Sequence, residues 1–134
     1  MGRYGIDAAT LLHLVGTNVK VNPQHSIVAP NAIRSQALAL LFEAVQRGDL
    51  SEELALHQHE QLTQLKMRLL GDRVSRRTAW AMAREQGWEN TTEAEYIAIV
   101  KLQADALVTV NPGLAEKATG LVPLAPLTVF SQRA

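Results

Sequence analysis

A run of five apolar or small residues, Ala106-Leu-Val-Thr-Val110, stands between two helical segments and constrains the fold more than any other stretch of the chain. It carries no charge and shows no alternation, which is the pattern of a strand covered on both faces. Upstream, residues 96–104 are apolar over a broad arc, with Lys101 and Gln103 as polar exceptions, so a mostly buried helix is expected there. Thr92, with Glu95 three residues later, reads as a capping box opening that helix. Downstream, Asn111-Pro112 places an N-cap and the first residue of another helix. A covered strand between helices belongs to a parallel sheet, and open parallel sheets bind ligands beyond the carboxyl ends of their strands. Glu93, at a helix start, and Asn111, just past a strand end, are the polar residues expected at that level.

The remaining sequence supplies material for one such sheet. At 134 residues the chain is expected to be a single domain, 1–134, and its 47% hydrophobic content with few aromatics makes the core aliphatic. No stretch approaches the ~18 unbroken apolar residues of a membrane span, and the N-terminus lacks the layout of a signal peptide. The absence of cysteine excludes disulfides and thiolate chemistry and suits a reducing cytoplasm. Net charge is zero, so a polyanion has to be drawn to a local patch. Lys66, Arg68, Arg73, Arg76, Arg77 and Arg84 provide one: six of the thirteen basic residues, opposed between positions 66 and 84 by Asp72 alone.

In chain order, residues 3–6 form a short strand that runs into Asp7, and residues 8–15 form a helix closed by Gly16. Asp7 is either the helix N-cap or a carboxylate facing the crevice at a strand end; one oxygen can serve each role. Asn22-Pro23 marks a loop, residues 25–29 a second strand, and Pro30-Asn31 opens a helix that lasts to about Gln46. Its expected buried face is Ile33, Ala37, Leu40, Leu41, Ala44 and Val45. Gln36 and Glu43 lie along one edge of that stripe, roughly 10 Å apart along the axis, so one small site holds only one of them.

Ser51 and the two glutamates after it start a helix read through Leu54, Leu62 and Leu65 to about Leu70. His57 and His59 point to different faces, and neither His13 nor His25 has a partner at ligand spacing, so no zinc site is expected. Residues 74–86 form another helix, on which Arg73, Arg77, Trp80 and Arg84 share one face. Such a face is a solvated surface, or it binds single-stranded nucleic acid with phosphates on arginine and a base on the indole. Asp105 is expected at the far end of the sheet from the site. Residues 121–124 and 127–130, interrupted by proline, suit the sheet edge. The pieces together give an α/β fold, a three-layer α/β/α sandwich around a mostly parallel sheet.

Three blocks add a more specific reading. They are I-D-A-A-T-L-L-H-L at 6–14, V-A-P-N-A-I-R-S-Q-A-L-A-L-L-F-E-A-V-Q-R-G-D-L-S at 28–51, and T-T-E-A-E-Y-I-A-I at 91–99 followed by A-L-V-T-V-N-P-G-L-A at 106–115. In this order the chain resembles a PIN domain, and more narrowly the VapC-type toxin ribonucleases of bacterial toxin–antitoxin pairs. The resemblance implies a cluster of acids at the sheet's carboxyl edge. The first falls on Asp7, and the second on Gln36. The third falls on Glu93 in place of Asp, and the fourth, in Thr-x-Asp, on Asn111. Two acid positions therefore carry amides.

For such a family member the implied cofactor is one weakly held Mg2+ (or Mn2+), with Asp7 and Glu93 as its metal ligands and Gln36 and Asn111 beside them. Thr109 would orient a ligand or water, and Arg73, Arg77 and Arg84 would hold RNA. The implied partners are RNA, a small VapB-like antitoxin and a second copy in a homodimer, with no membrane and a cytoplasmic location. The two amides keep a second possibility open, an inactive PIN-like module that binds RNA or a protein through the same cleft.

Overall fold

The computed structural model describes residues 2–131. Four short strands, β1 (Arg3–Ile6), β2 (Ser26–Pro30), β3 (Arg68–Leu70) and β4 (Ala106–Val108), form a sheet in the order β3-β2-β1-β4. All three pairings are parallel. Parallel neighbours need crossovers, and here helices make them: α1 (Ala8–Gly16) links β1 to β2, and α2 (Ile33–Gln46) with α3 (Glu52–Gln64) links β2 to β3. The chain then returns through α4 (Arg73–Gln86) and α5 (Thr92–Gln103) to β4, and α6 (Pro112–Ala118) follows.

Handedness fixes the layers. The first two crossovers step in one direction across the sheet and the third steps back, so right-handed connections put α1–α3 on one face and α4–α5 on the other. The packing agrees: α1, α2 and α3 pack on one another, while α5 lies against β1, β2 and β4 with α4 outside it. The reversal falls between β1 and β4, which makes the carboxyl ends of these strands the place for a ligand.

The expected strand 106–110 is real but ends at Val108. Ala106, Leu107 and Val108 are all buried, as a strand covered on both faces requires. α5 buries Ala94 and the unbroken run Tyr96–Val100 against it. The approach is close enough to need glycine on β1, since a Cβ built on Gly5 would lie 2.4 Å from Val100 Cγ2. Ile6, Leu11, Ile33, Leu62, Ile97, Leu114 and Phe130 are among the fully buried side chains of the core.

Several expectations are corrected. The helix read to about Leu70 stops at Gln64. Leu65 turns extended (φ −70°, ψ 126°), and Arg68–Leu70 pair with Val28–Pro30 as an edge strand. Leu40 is exposed rather than buried, at 38%; Ile33, Ala37 and Leu41 carry the inward face of α2.

Thr92 is not a cap. Thr91 precedes the helix without a side-chain cap bond, and Asn90 Oδ1 accepts from the Thr92 N–H at 3.1 Å. Residues 127–130 form a 3-10 turn that buries Phe130 against Tyr4. The segment reaches the sheet edge in a single bridge at Leu124, where the Pro123 C=O accepts from Leu107 and the Ala125 N–H donates to it. Prolines at 123 and 126 remove the donors that a longer strand needs.

Candidate active site

Asp7 follows the last residue of β1 and precedes the first of α1. Its backbone is extended, as an N-cap requires, and its side chain is 5% exposed. The N-cap reading of this residue holds, at the carboxyl end of β1. Oδ1 accepts the Thr10 N–H at 3.3 Å, the Thr10 hydroxyl, and the Thr109 hydroxyl at 3.1 Å. Oδ2 takes part in none of these bonds.

The two threonines tie Asp7 to the turn after β4. Thr10 Oγ1 accepts the Val110 N–H, and Thr109 Oγ1 accepts the Asn111 N–H, each at 3.0 Å. Each hydroxyl has one proton, which is spent on Asp7, so both must accept from the turn. This explains why β4 stops at Val108: the next two residues turn out of the ladder to meet the end of β1. Thr109, expected beside the site, is there. Thr10, fully buried, was not singled out from the sequence.

Asn111 is the N-cap of α6. Its Oδ1 accepts from Gly113 N–H at 2.9 Å and Leu114 N–H at 3.4 Å, with Pro112 at the first helical position. Gln36 sits on α2, across the sheet layer, and its Oε1 accepts from the buried Tyr96 hydroxyl on α5. Burial first, then the Asp7 charge, pushes the Tyr96 phenol above its ordinary range; the Ala8 backbone N–H opposes this and Glu95 adds to it. Tyr96 therefore stays a donor and joins Gln36 to the Asp7 neighbourhood. The sequence gives a cue for it, since Tyr96 falls one helical turn after Glu93.

Glu93 lies in the first turn of α5, and its Oε1 is 2.5 Å from Lys117 Nζ on α6. The same ammonium is 5.5 Å from the centroid of the Trp88 ring. Lys117 was not anticipated, because its partner is 24 positions away and no local spacing connects them. Asp105 is at the opposite, amino end of the sheet, where its Oδ2 accepts the Arg3 N–H at 2.9 Å.

Arg73, Arg77 and Arg84 are exposed on α4 together with Trp80, which is 66% exposed. They line the outer side of the α4–α5 layer and do not join the Asp7 cluster. Arg76 lines a separate cavity over the carboxyl ends of β2 and β3.

The donor chemistry bears on metal binding. The side-chain oxygens of Gln36 and Asn111 are engaged as acceptors, while among the described residues Asp7 Oδ2 and the second oxygen of Glu93 accept no such bond. Among the described residues no group of three or more acids, histidines or cysteines converges. A pair of carboxylates would suit one small cation that keeps much of its water and shares a substrate's phosphates, and would not suit two.

Solved structures show what the architecture is. The crystal structure of PAE2754 from Pyrobaculum aerophilum is similar to the chain with a TM-score of 0.72 and 19% identity, over 94% of this chain and 91% of that one. VapBC-1 from nontypeable Haemophilus influenzae gives a TM-score of 0.60 and 17% identity, over 94% and 98%. The chain has a VapC-type PIN fold. No protein-family model and no curated relative matches it. In this PIN fold Asp7, Thr109 and Asn111 form one hydrogen-bonded chain at the switch point, and Gln36 joins through Tyr96. Glu93 is tied to α6 through Lys117. No helix among the described residues is long and apolar enough to cross a membrane.

Proposed function

We propose that the protein is a divalent-metal-dependent endoribonuclease of the PIN/VapC toxin type, with an acidic site reduced to Asp7 and Glu93. The observation that carries this reading is the division of labour within Asp7: three donors fix one oxygen, and the other is left at the switch point of a parallel sheet. When bound, a hard cation such as Mg2+ or Mn2+ supplies an activated water and offsets phosphate charge.

The chain's own residues do the positioning. Thr10 and Thr109 stop Asp7 from rotating, and Glu93 offers its second oxygen from the facing helix. Asn111 caps α6 and so holds Lys117 in place. The exposed arginines Arg73, Arg77 and Arg84, with Trp80 among them, support binding of single-stranded RNA.

A protein partner is supported by exposed Leu38, Leu40, Phe42, Leu54 and Leu56 on the adjoining helices α2 and α3. The Haemophilus neighbour is VapBC-1, and we assign this apolar surface to a VapB-like antitoxin or a second copy of the chain. A cytoplasmic location goes with these partners.

A second reading, an inactive PIN-like module binding RNA or a protein, is favoured by two observations: both amide oxygens are engaged, and Lys117 already neutralises Glu93. A ribonuclease assay on a pool of structured RNAs, with Mg2+ and Mn2+ titrated, separates the two. Metal-dependent cleavage that is lost in Asp7→Asn is expected. A parent with no cleavage, alongside an active Gln36→Glu, Asn111→Asp double variant, would refute the enzyme reading and establish a disabled site.

A further inference from the structure

Beside the Asp7 cluster lies a cavity of about 180 Å3 that the proposed chemistry does not use. It sits over the carboxyl ends of β2 and β3, where Pro30 and Leu70 are paired, and is closed by the start of α4 and the middle of α5. β2 is the neighbour of β1, so the cavity opens one to two strand spacings from Asp7, roughly 5–10 Å.

Its polar lining is Glu95, Arg76, Ser75 and Asn31, and its apolar lining includes Pro30, Leu70 and Ile99. Glu95 and Arg76 line the same space without an ion pair between them, the described pairs being Arg47–Asp49 and Lys117–Glu93; the charge of Arg76 is felt by Asp72. A carboxylate and a guanidinium across a small apolar-walled space are complementary to a ligand with adjacent donors on one edge and adjacent acceptors on another. The size bounds the ligand too: small-molecule pockets usually start near ~300 Å3, so this one takes a single ring system with its sugar and phosphate outside.

Among the nucleobases that description selects one. Guanine alone has two neighbouring N–H donors on its pairing edge, which a carboxylate accepts together, and the O6/N7 acceptor pair that arginine donates to in a bidentate manner. Adenine has an acceptor where guanine has N1–H, and uracil and cytosine lack the second acceptor edge.

We propose that this cavity is a guanine-specific base pocket, in which Glu95 and Arg76 select the nucleotide adjoining the phosphate held at Asp7. The inference rests on the ribonuclease reading for its biological setting, but its chemistry is tested without cleavage.

The probes are fluorescently labelled pentaribonucleotides, identical except for a central G, A, C or U, titrated by anisotropy in the presence of EDTA, with free guanosine 5′-monophosphate followed by ligand-detected NMR. The central-G oligomer is expected to bind about tenfold tighter than the other three, the discrimination typical of one bidentate base contact. Glu95→Gln sets an amide donor against a guanine donor and should erase the preference, leaving affinity for the other oligomers within about twofold; Arg76→Gln should do the same. A thermal melt matching the parent's shows that each variant is folded.

Equal binding of the four oligomers, or a G preference that survives Glu95→Gln, overturns the pocket. Guanosine monophosphate binding as tightly as the G oligomer overturns its assignment to an RNA strand. A G preference without cleavage under any metal sinks the ribonuclease reading and leaves the pocket standing; cleavage without base preference does the reverse.

Discussion

Lys117→Met tests whether the Glu93 position still holds a cation. In the parent the ammonium lies 2.5 Å from Glu93 Oε1, with side-chain exposures of 39% for Lys117 and 32% for Glu93. The pair is close to the surface, so its own stability is small, about 0.2–1 kcal/mol. Its effect on an arriving divalent ion is larger. A doubly charged ion about 5 Å from an ammonium is repelled by roughly 1.7 kcal/mol even at the dielectric of water. Methionine keeps an unbranched stem against Trp88 while removing that charge.

The expected result is Mn2+ binding tightened by about tenfold, since 1.4 kcal/mol is one decade. Free Mn2+ counted by electron paramagnetic resonance, at low salt, reads this directly. The gap between variant and parent should narrow as ionic strength rises and the charges are screened. In an Asp7→Asn background both proteins should lose most of their binding. An unchanged or weaker Mn2+ constant in Lys117→Met would refute the claim that Lys117 and the ion compete for one carboxylate.

Two further outcomes concern the frame around the site. Gly5→Ala drives a Cβ into Val100 Cγ2, 2.4 Å away, and both lie where α5 seats on β1; urea melts should show a loss of about 1–3 kcal/mol. Tyr96→Phe removes the donor to Gln36, and its signature is in the pH profile. The folded-state pKa of Tyr96 is raised above the ordinary 10.0, so its contribution is fully present below pH 10 and is lost as pH climbs toward the folded value. Parent stability should fall through this alkaline range, and the part of the fall due to Tyr96 should be missing in Tyr96→Phe; identical alkaline limbs in thermal melts would contradict the burial argument.

What was legible in the sequence tracks the range of the interaction responsible. Asn111-Pro112 and Asp7 are local signals, each a helix N-cap bonding N–H groups two or three residues on, and both caps were found where expected. β4 was readable because a strand covered on both faces needs an unbroken apolar run. The end of β4 was not, since Val110 leaves the ladder to bond Thr10 at a separation of 100 residues. β3 was hidden for a different reason: Arg68-Leu-Leu70 is too short to show a period, and a preceding helix of the right polarity absorbs it. The missed site residues, Thr10, Tyr96 and Lys117, all act through partners on other elements. Each looks ordinary in its own window: a threonine in a helix, an aromatic on a buried face, a lysine near a helix end.

The same distinction bears on the two amides. At Asn111 the fold asks for an oxygen that accepts from Gly113 and Leu114, and asparagine caps a helix about as well as aspartate. At Gln36 it asks for an acceptor for the Tyr96 hydroxyl, which an amide carbonyl also provides. Neither exchange breaks a packing contact or a hydrogen bond, so the architecture tolerates the amides at little cost in stability. Only the charge of the crevice changes, and charge is felt by ligands rather than by the core. A chain can therefore keep a VapC-type frame intact while its affinity for cations falls. That is why metal binding, and not thermal stability, is the measurement on which Gln36→Glu and Asn111→Asp should differ most from the parent.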